Sequence, residues 1–251
     1  MAVDFNNEIY TTNTSEGVFT SILVCNATGR KSNFKAKENN IPKQKTNYVG
    51  VKYHIQLTRD PKQIEIHNFS GGYCGISNIE DNKSCLCYIV NSKKLKKVKN
   101  SISELEKKYL FKNNDIKKIF INAHFINKTP ITISGINFLI KAPYINNVFF
   151  LGDSAGSIAP ITGNGMSICL RSAFVLATHI DDYFSNKITK QQLIKNYQLF
   201  WNTEFSMLIK LSRYFQKLSQ FPFLTKLTIG LFNLFPQLSK TVIKQTHGKI
   251  F

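Results

Sequence analysis

Arginine is scarce in this sequence. Only Arg30, Arg59, Arg171 and Arg213 stand among the 33 Lys and Arg residues that, against 15 Asp and Glu, give the 251-residue chain a formal net charge of +18. Base-specific and bidentate phosphate recognition favours the planar guanidinium, so a lysine-dominated charge argues against specific nucleic-acid binding. It points instead to an anionic partner such as a nucleotide cofactor or a membrane surface, with most lysines forming a solvated face. Long apolar runs are also lacking: none reaches the ~20 residues that a membrane span requires. Met1 to Tyr10 has neither a basic n-region nor an apolar h-region. Paired cysteines are missing as well. The five cysteines show no metal-like spacing, and their odd number fits a reducing compartment. The expectation is a cytoplasmic protein with no metal site, in which Cys85 and Cys87 are core side chains of an apolar strand.

The length suits one large domain or two small ones. Glu8 to Thr14 alternates polar and apolar, Ser15-Glu16-Gly17 is a turn signal, and Val18 to Asn26 ends in the run Ile22-Leu23-Val24-Cys25. This pattern predicts a hairpin whose second strand finishes buried, followed by a glycine turn at Ala27-Thr28-Gly29-Arg30. Four alternating segments between Tyr48 and Val90, joined by short turns, predict an antiparallel sheet with one solvated face. Ser101 and Glu104 are placed as the capping box of a helix running to Phe111. Ile116 to Ile140 reads as two or three further strands, and Phe149 to Asp153 as one more, buried. Apolar residues at Met166, Cys169, Leu170, Ala173, Leu176, Ala177 and Ile180 then follow helical spacing, and Thr189 is placed to cap a helix reaching about Leu218. The tail beyond Phe221 reads as helices interrupted at Pro222 and Pro236. Its Phe, Leu and Lys content suits packing over a core, with peripheral membrane contact as the alternative.

The chemistry concentrates in FFLGDSAGSIAPITGNGMS, Phe149 to Ser167. Gly152-Asp153-Ser154-Ala155-Gly156 fits the G-x-S-x-G elbow of a serine hydrolase, in which a helix starts immediately after the nucleophile. Pro160, Gly163 and Gly165 would lie inside such a helix at a cost of ~3 kcal/mol for the proline and about 1 kcal/mol for each glycine. The helix is therefore expected to begin near Asn164, and Ser154 is not expected to be a nucleophile. A cofactor turn accounts for more of these residues. Asp153 at a strand end can accept hydrogen bonds from a polyol, and Ala155 and Gly156 would let a ligand approach the backbone. Gly163-Asn164-Gly165 would present helix N-terminal amides to an anionic or electron-rich group.

Gly152-Asp153-Ser154-Ala155-Gly156, Pro160 and Thr162-Gly163-Asn164-Gly165-Met166 together resemble the second FAD-binding motif of the p-hydroxybenzoate hydroxylase class, in its geranylgeranyl-reductase-like branch. ILVCNATGRKS resembles that family's central motif, with Thr28 at the usual Asp position and Gly29 retained. The segments YVGVKYHI, HNFSGGYCGISNIE and CLCYIV resemble its substrate sheet, and THGKIF resembles the tail of a bacterial subgroup. The likeness runs from roughly Val18 to Phe251. It implies FAD as cofactor, NAD(P)H as one candidate reductant and an apolar or aromatic small-molecule substrate. The cofactor-binding residues it implies are Gly29, Gly152, Asp153, Pro160, Gly163, Asn164, Gly165 and Met166. His54, Tyr73 and Cys74 are candidate pocket residues on the sheet. No catalytic acid or base is assigned, since in such enzymes the flavin carries the redox chemistry.

The G-x-G-x-x-G turn that holds the ADP part of FAD in this family does not occur in the sequence. The expected fold class is α/β, in part α+β. A partial FAD-binding layer is expected at 1–47 and an antiparallel substrate sheet with one helix at 48–147. The GD-motif strand and helix would occupy 148–185 and C-terminal helices 186–251. The expected function is that of an FAD-dependent monooxygenase or reductase, incomplete at its N-terminus as a fragment or as the product of a split gene, with a dinucleotide-binding segment in trans as one candidate partner. A non-catalytic flavoprotein relic, or a basic surface-binding module, is the alternative.

Overall fold

A computed structural model describes residues 2–30, 47–60 and 62–247. The chain begins with β1 (Ala2–Asn6), β2 (Ile9–Thr14), β3 (Gly17–Ser21) and β4 (Cys25–Asn26), and resumes at β5 (Tyr48–Gln56), β6 (Ile64–Phe69), β7 (Gly72–Ile79) and β8 (Lys83–Asn91). There follow α1 (Ser92–Lys96), α2 (Ile102–Leu105) with a π-helical continuation (Glu106–Leu110), α3 (Asn114–Asn122), β9 (His124–Phe125) and β10 (Ile131–Ile136). The last part comprises β11 (Tyr144–Ile145), β12 (Val148–Phe150), two 3-10 turns (Gly152–Ser154 and Pro160–Thr162), α4 (Gly165–Phe184), α5 (Lys190–Leu218), α6 (Pro222–Leu234) and α7 (Pro236–His247). The fold is α/β, with its contacts gathered into two compact units.

The first unit comprises residues 1–43, 138–213 and 241–251. The expected hairpin is a three-stranded meander, β1-β2-β3, because Asn7 and Glu8 both take positive φ and form a tight turn ahead of it. The expected continuous strand through Ile22 to Cys25 does not form. β3 pairs with β2, whereas β4 pairs in parallel with β12, so the chain changes sheets between Ser21 and Cys25 and leaves Ile22 exposed. The parallel pairing sets Phe149 beside Cys25 and Phe150 beside Asn26, bringing two distant turns to one sheet edge. Behind it, Phe149, Phe150, Ile168 and Leu176 pack with Leu193, Tyr197, Trp201 and Phe205 of α5, and the Tyr197 hydroxyl donates to the Phe150 carbonyl at 2.8 Å. Tyr10 of β2 is fully buried in the same core.

The second unit comprises residues 44–137 and 214–240. Its antiparallel sheet has the order β10-β5-β8-β7-β6, with β9 also paired to β5. One face, including Val51, Ile55, Cys74, Ile76, Leu86 and Tyr88, is covered by Leu105, Leu110, Ile116 and Ile119. The stretch from Ile116, expected as strand, opens instead with α3. Asn113 supplies the reason: its side chain accepts from Asp115 N and Ile116 N and caps the helix, while Ile116 and Ile119 fall on one buried face. Cys85 and Cys87 are also placed differently from expectation. Leu86 and Tyr88 take the core face, and the strand's period of two turns both thiols to the other face, Cys85 half-buried and Cys87 exposed.

Glu106 is buried in this unit and accepts hydrogen bonds from the hydroxyls of Tyr53 (2.7 Å) and Tyr88 (2.8 Å). Desolvation raises its pKa above the usual glutamate range, against the opposing pull of the two hydroxyls. A raised carboxyl pKa means that the folded state binds the proton more tightly than the unfolded chain. This contribution to stability is therefore present at acid pH and is lost as pH rises through the folded-state value. Glu106→Gln should gain stability relative to wild type between about pH 5 and pH 8. Urea midpoints measured at both ends test this, and a difference that stays constant with pH would refute it.

Candidate functional site

Asn26, at the end of β4, organises the first turn of the site. Its side-chain oxygen accepts from Thr28 N (3.0 Å) and from the Thr28 hydroxyl (2.7 Å). The chain then passes through Gly29, at φ +74° with open space where a Cβ would project, to Arg30. Beside it, β12 ends at the 3-10 turn of Gly152-Asp153-Ser154. Gly152 takes φ +51°, and a Cβ there would lie 2.9 Å from Cys169 Sγ and 3.3 Å from Cys169 Cα, so the turn presses directly on α4. Its N–H donates to the Ser172 hydroxyl at 3.1 Å.

Asp153 emerges from this turn with its side chain exposed. Partial desolvation raises its pKa above the ordinary aspartate range, while the Arg30 charge and a hydrogen bond from Ser157 act in the opposite direction. Arg30 and Ser157 are thus site residues that the sequence reading missed. Nothing in their local spacing marks them, and only the β4–β12 pairing brings the two turns together.

Ser154 has no nucleophile's environment. Its buried hydroxyl lies 2.6 Å from the carbonyls of Asn26 and Leu151 and accepts from Leu151 N at 3.0 Å. Among the described residues, no histidine hydrogen-bonds to it. Ser154→Ala is expected to lower stability by about 1 kcal/mol through lost buried hydrogen bonds, and a fluorophosphonate probe should not label Ser154 in the wild type. Labelling that disappears in the alanine variant would overturn this assignment.

Ala155 and Gly156 also differ from expectation. They are small for packing rather than for ligand approach: Ala155 is fully buried, and a Cβ on Gly156 would lie 3.1 Å from Ile209 Cδ1 and 3.4 Å from the Leu139 carbonyl. Further on, Pro160 opens the second 3-10 turn and Gly163 ends it at φ +70°, donating to the Pro160 carbonyl at 2.9 Å. Asn164 is buried, and α4 starts at Gly165 as the sequence predicts. The Asn164 side chain, at the N-cap, makes no capping hydrogen bond to this helix end. A Cβ on Gly163 would meet nothing within 4 Å, and one on Gly165 only Ile158 Cγ2 at 3.8 Å. Met166 is 80% exposed. The first unit thus holds an open glycine cradle at the positive end of a 20-residue helix, with the carboxyl of Asp153 on the preceding turn.

The candidate pocket residues lie in the second unit. Cys74 is fully buried in its core and burial pushes its thiol up to about 12, so it is not a surface group. Tyr73 is buried on β7, paired with Ile89, and His54 is half-buried on β5, paired with Cys85. A polar cleft of about 790 Å³ in this unit is lined by residues that include Thr58, Arg59, Asn78 and Lys83, and it has no glycine cradle. No group of three or more metal-ligating side chains occurs among the described residues. Lys31-Ser32 of the central motif and Gly248–Phe251 of the tail motif lie outside the described residues.

No protein-family model matches the chain. Among curated proteins it is 26% identical over 145 residues to conditioned medium factor receptor 1 of Dictyostelium discoideum, an alignment covering 53% of this chain and 26% of that protein. Among solved structures it is similar to the flavin-dependent brominase Bmp2, with a TM-score of 0.74 and 14% identity over 98% of this chain and 63% of that one. It is also similar to CmlS, a flavin-dependent halogenase (TM-score 0.66, 15% identity, 84% of this chain and 40% of that one). Klebsiella pneumoniae HpxO, solved with FAD and uric acid, gives a TM-score of 0.66 at 13% identity over 89% of this chain and 59% of HpxO. The chain thus spans about a quarter of the curated relative and between 40% and 63% of these structures. At such identities the likeness is one of fold: this chain has the fold of part of the flavin-dependent halogenases and monooxygenases.

Proposed function

We propose that this chain is the flavin-contacting and substrate portion of an FAD-dependent oxidoreductase, a monooxygenase or reductase acting on an apolar or aromatic small molecule. The observation that carries the reading is the open cradle of Gly163 and Gly165 at the start of α4, beside Asp153 at the end of a parallel strand. The residues present fit the group. Asp153 would accept hydrogen bonds from ribityl hydroxyls, and the amides of Gly165 and Met166 would face the electron-rich pyrimidine edge. Gly29 leaves backbone room at the adjoining turn. When bound, FAD supplies the redox chemistry, with NAD(P)H as the candidate reductant. The side chains of this chain bind, orient and tune its field.

The fold shared with flavin-dependent halogenases, and with HpxO solved with FAD, supports this reading. The sequence contains no glycine-rich first turn for the pyrophosphate. The proposal therefore assigns the ADP half of the cofactor to a dinucleotide-binding segment outside these 251 residues.

The test is a flavin-fluorescence titration of the chain, alone and with such a segment expressed separately. Adding the segment should convert weak FAD binding to tight binding, and Asp153→Ala should weaken the complex roughly tenfold, as expected for one charge-assisted hydrogen bond of about 1.5–3 kcal/mol. An unchanged dissociation constant in Asp153→Ala would refute the role of that carboxyl. Tight stoichiometric FAD on the chain alone would refute the need for the segment.

A further inference from the structure

The helix α6 is amphipathic in the reverse sense to a helix packed on a core. Its three partly buried residues, Thr225, Thr228 and Phe232, recur at i, i+3 and i+7 on one side. Phe223, Leu227, Leu231 and Leu234 fall at i, i+4, i+8 and i+11, a sector of about 80° on the other side. These four are 78%, 56%, 44% and 74% exposed, and the outward apolar surface continues at Phe235 (56%) and Leu238 (51%) in the chain that follows. No residue of α6 is buried, which corrects the expectation that this part of the tail packs over a core. The charge of the sequence flanking it has one sign. Between Phe205 and His247 the sequence has no Asp or Glu, and its charged residues are Lys210, Arg213, Lys217, Lys226, Lys240 and Lys244.

From this combination we infer that α6 and the first turn of α7 form an interfacial anchor that lies on an anionic phospholipid bilayer. The 13-residue helix is about 20 Å long, and no helix among the described residues is long and apolar enough to cross a membrane. It would therefore lie in the plane of the interface, its Phe and Leu side chains at the acyl boundary and Lys226 and Lys240 among the headgroups. Charge complementarity selects this occupant. A second copy of the chain would bring the same basic, acid-free segment against itself, whereas an anionic membrane neutralises it.

The test is co-sedimentation of the full chain with vesicles of phosphatidylcholine alone or mixed with phosphatidylglycerol. Partition into the mixed vesicles is expected, weakened by salt and much lower with phosphatidylcholine alone. Leu227→Glu with Leu234→Glu should reduce that partition by about tenfold or more, with far-UV circular dichroism and melting unchanged because both side chains are exposed. Lys226→Glu with Lys240→Glu, which keeps the apolar face intact, should reduce it for the mixed vesicles. Failure to bind mixed vesicles at low salt, equal binding to both kinds, or full binding by the Leu227/Leu234 variant would each overturn the inference. So would a wild-type dimer in solution that the same variant converts to monomer.

Discussion

Gly72→Ala should cost about 4 kcal/mol or more, in the range that only gross misfits in a core reach. Gly72 opens β7 opposite Val90, and a Cβ there would stand 1.9 Å from the Ile89 carbonyl oxygen, 2.9 Å from its carbon and 3.1 Å from Phe69 Cζ. The first two atoms are backbone of the central strand β8, which no side-chain rotation can clear. Relief requires β7 to move off β8, breaking ladder hydrogen bonds and opening the core under Cys74 and Ile76. Gly75, three residues along the same strand, is the control. Its nearest neighbours would be 3.9 Å from a Cβ, an ordinary contact, and alanine there relieves the entropic weakness of glycine in a strand. Urea unfolding followed by far-UV circular dichroism should separate the two variants widely. Equal midpoints for Gly72→Ala and Gly75→Ala would show that the strand spacing is wrong.

Gly152→Ala should produce the second large effect, on the turn that carries Asp153. The left-handed φ of +51° costs an alanine about 1–2 kcal/mol. Contact with Cys169 Sγ at 2.9 Å and Cα at 3.3 Å adds about 1–3 kcal/mol of overpacking. The backbone contact is with α4 itself, so relief means pushing the helix outward and straining the hydrogen bond from Gly152 N to Ser172. Trp201, the one tryptophan of the sequence and buried in the same core, reports the loss through its fluorescence in urea. Gly163→Ala is the matching control. Its φ of +70° carries the same backbone penalty, but nothing lies within 4 Å of the added methyl. It should lose only the conformational part, and a Gly152→Ala variant no less stable than Gly163→Ala would refute the close approach of turn and helix.

These two comparisons mark the boundary between what the sequence by itself determined and what only the tertiary structure decided. Local periodicity and capping were legible. The start of α4 at Gly165 follows from the cost of Pro160 and Gly163 inside a helix, and the start of α5 follows from Thr189, whose hydroxyl accepts from Gln192 N. The antiparallel pairing of β6 with β7 and of β7 with β8 followed from alternation and short turns, which are nearest-neighbour properties of the chain, whereas β5 passes over β6 to pair with β8, which no local pattern gives. Asp153 and the helix entry after it were legible for the same reason, since they lie within one continuous motif. Strand against helix at Ile116 was not, because a short apolar run suits both and the deciding group was the capping side chain of Asn113. Nor was the tail: its composition fitted packing over a core, and only the exposure of α6 in the folded chain showed its apolar side turned outward. The glycines were alike in sequence. Pairing of β4 with β12 and the press of α4 made Gly152 a packing requirement, set Gly156 against Ile209, and left Gly29, Gly163 and Gly165 open. The same pairing brought Arg30 and Ser157 to Asp153. Which glycine is filled by a neighbour and which is free for a ligand depends on atoms outside its own turn, such as Cys169 against Gly152 and Ile209 against Gly156, and a local pattern carries no information about them.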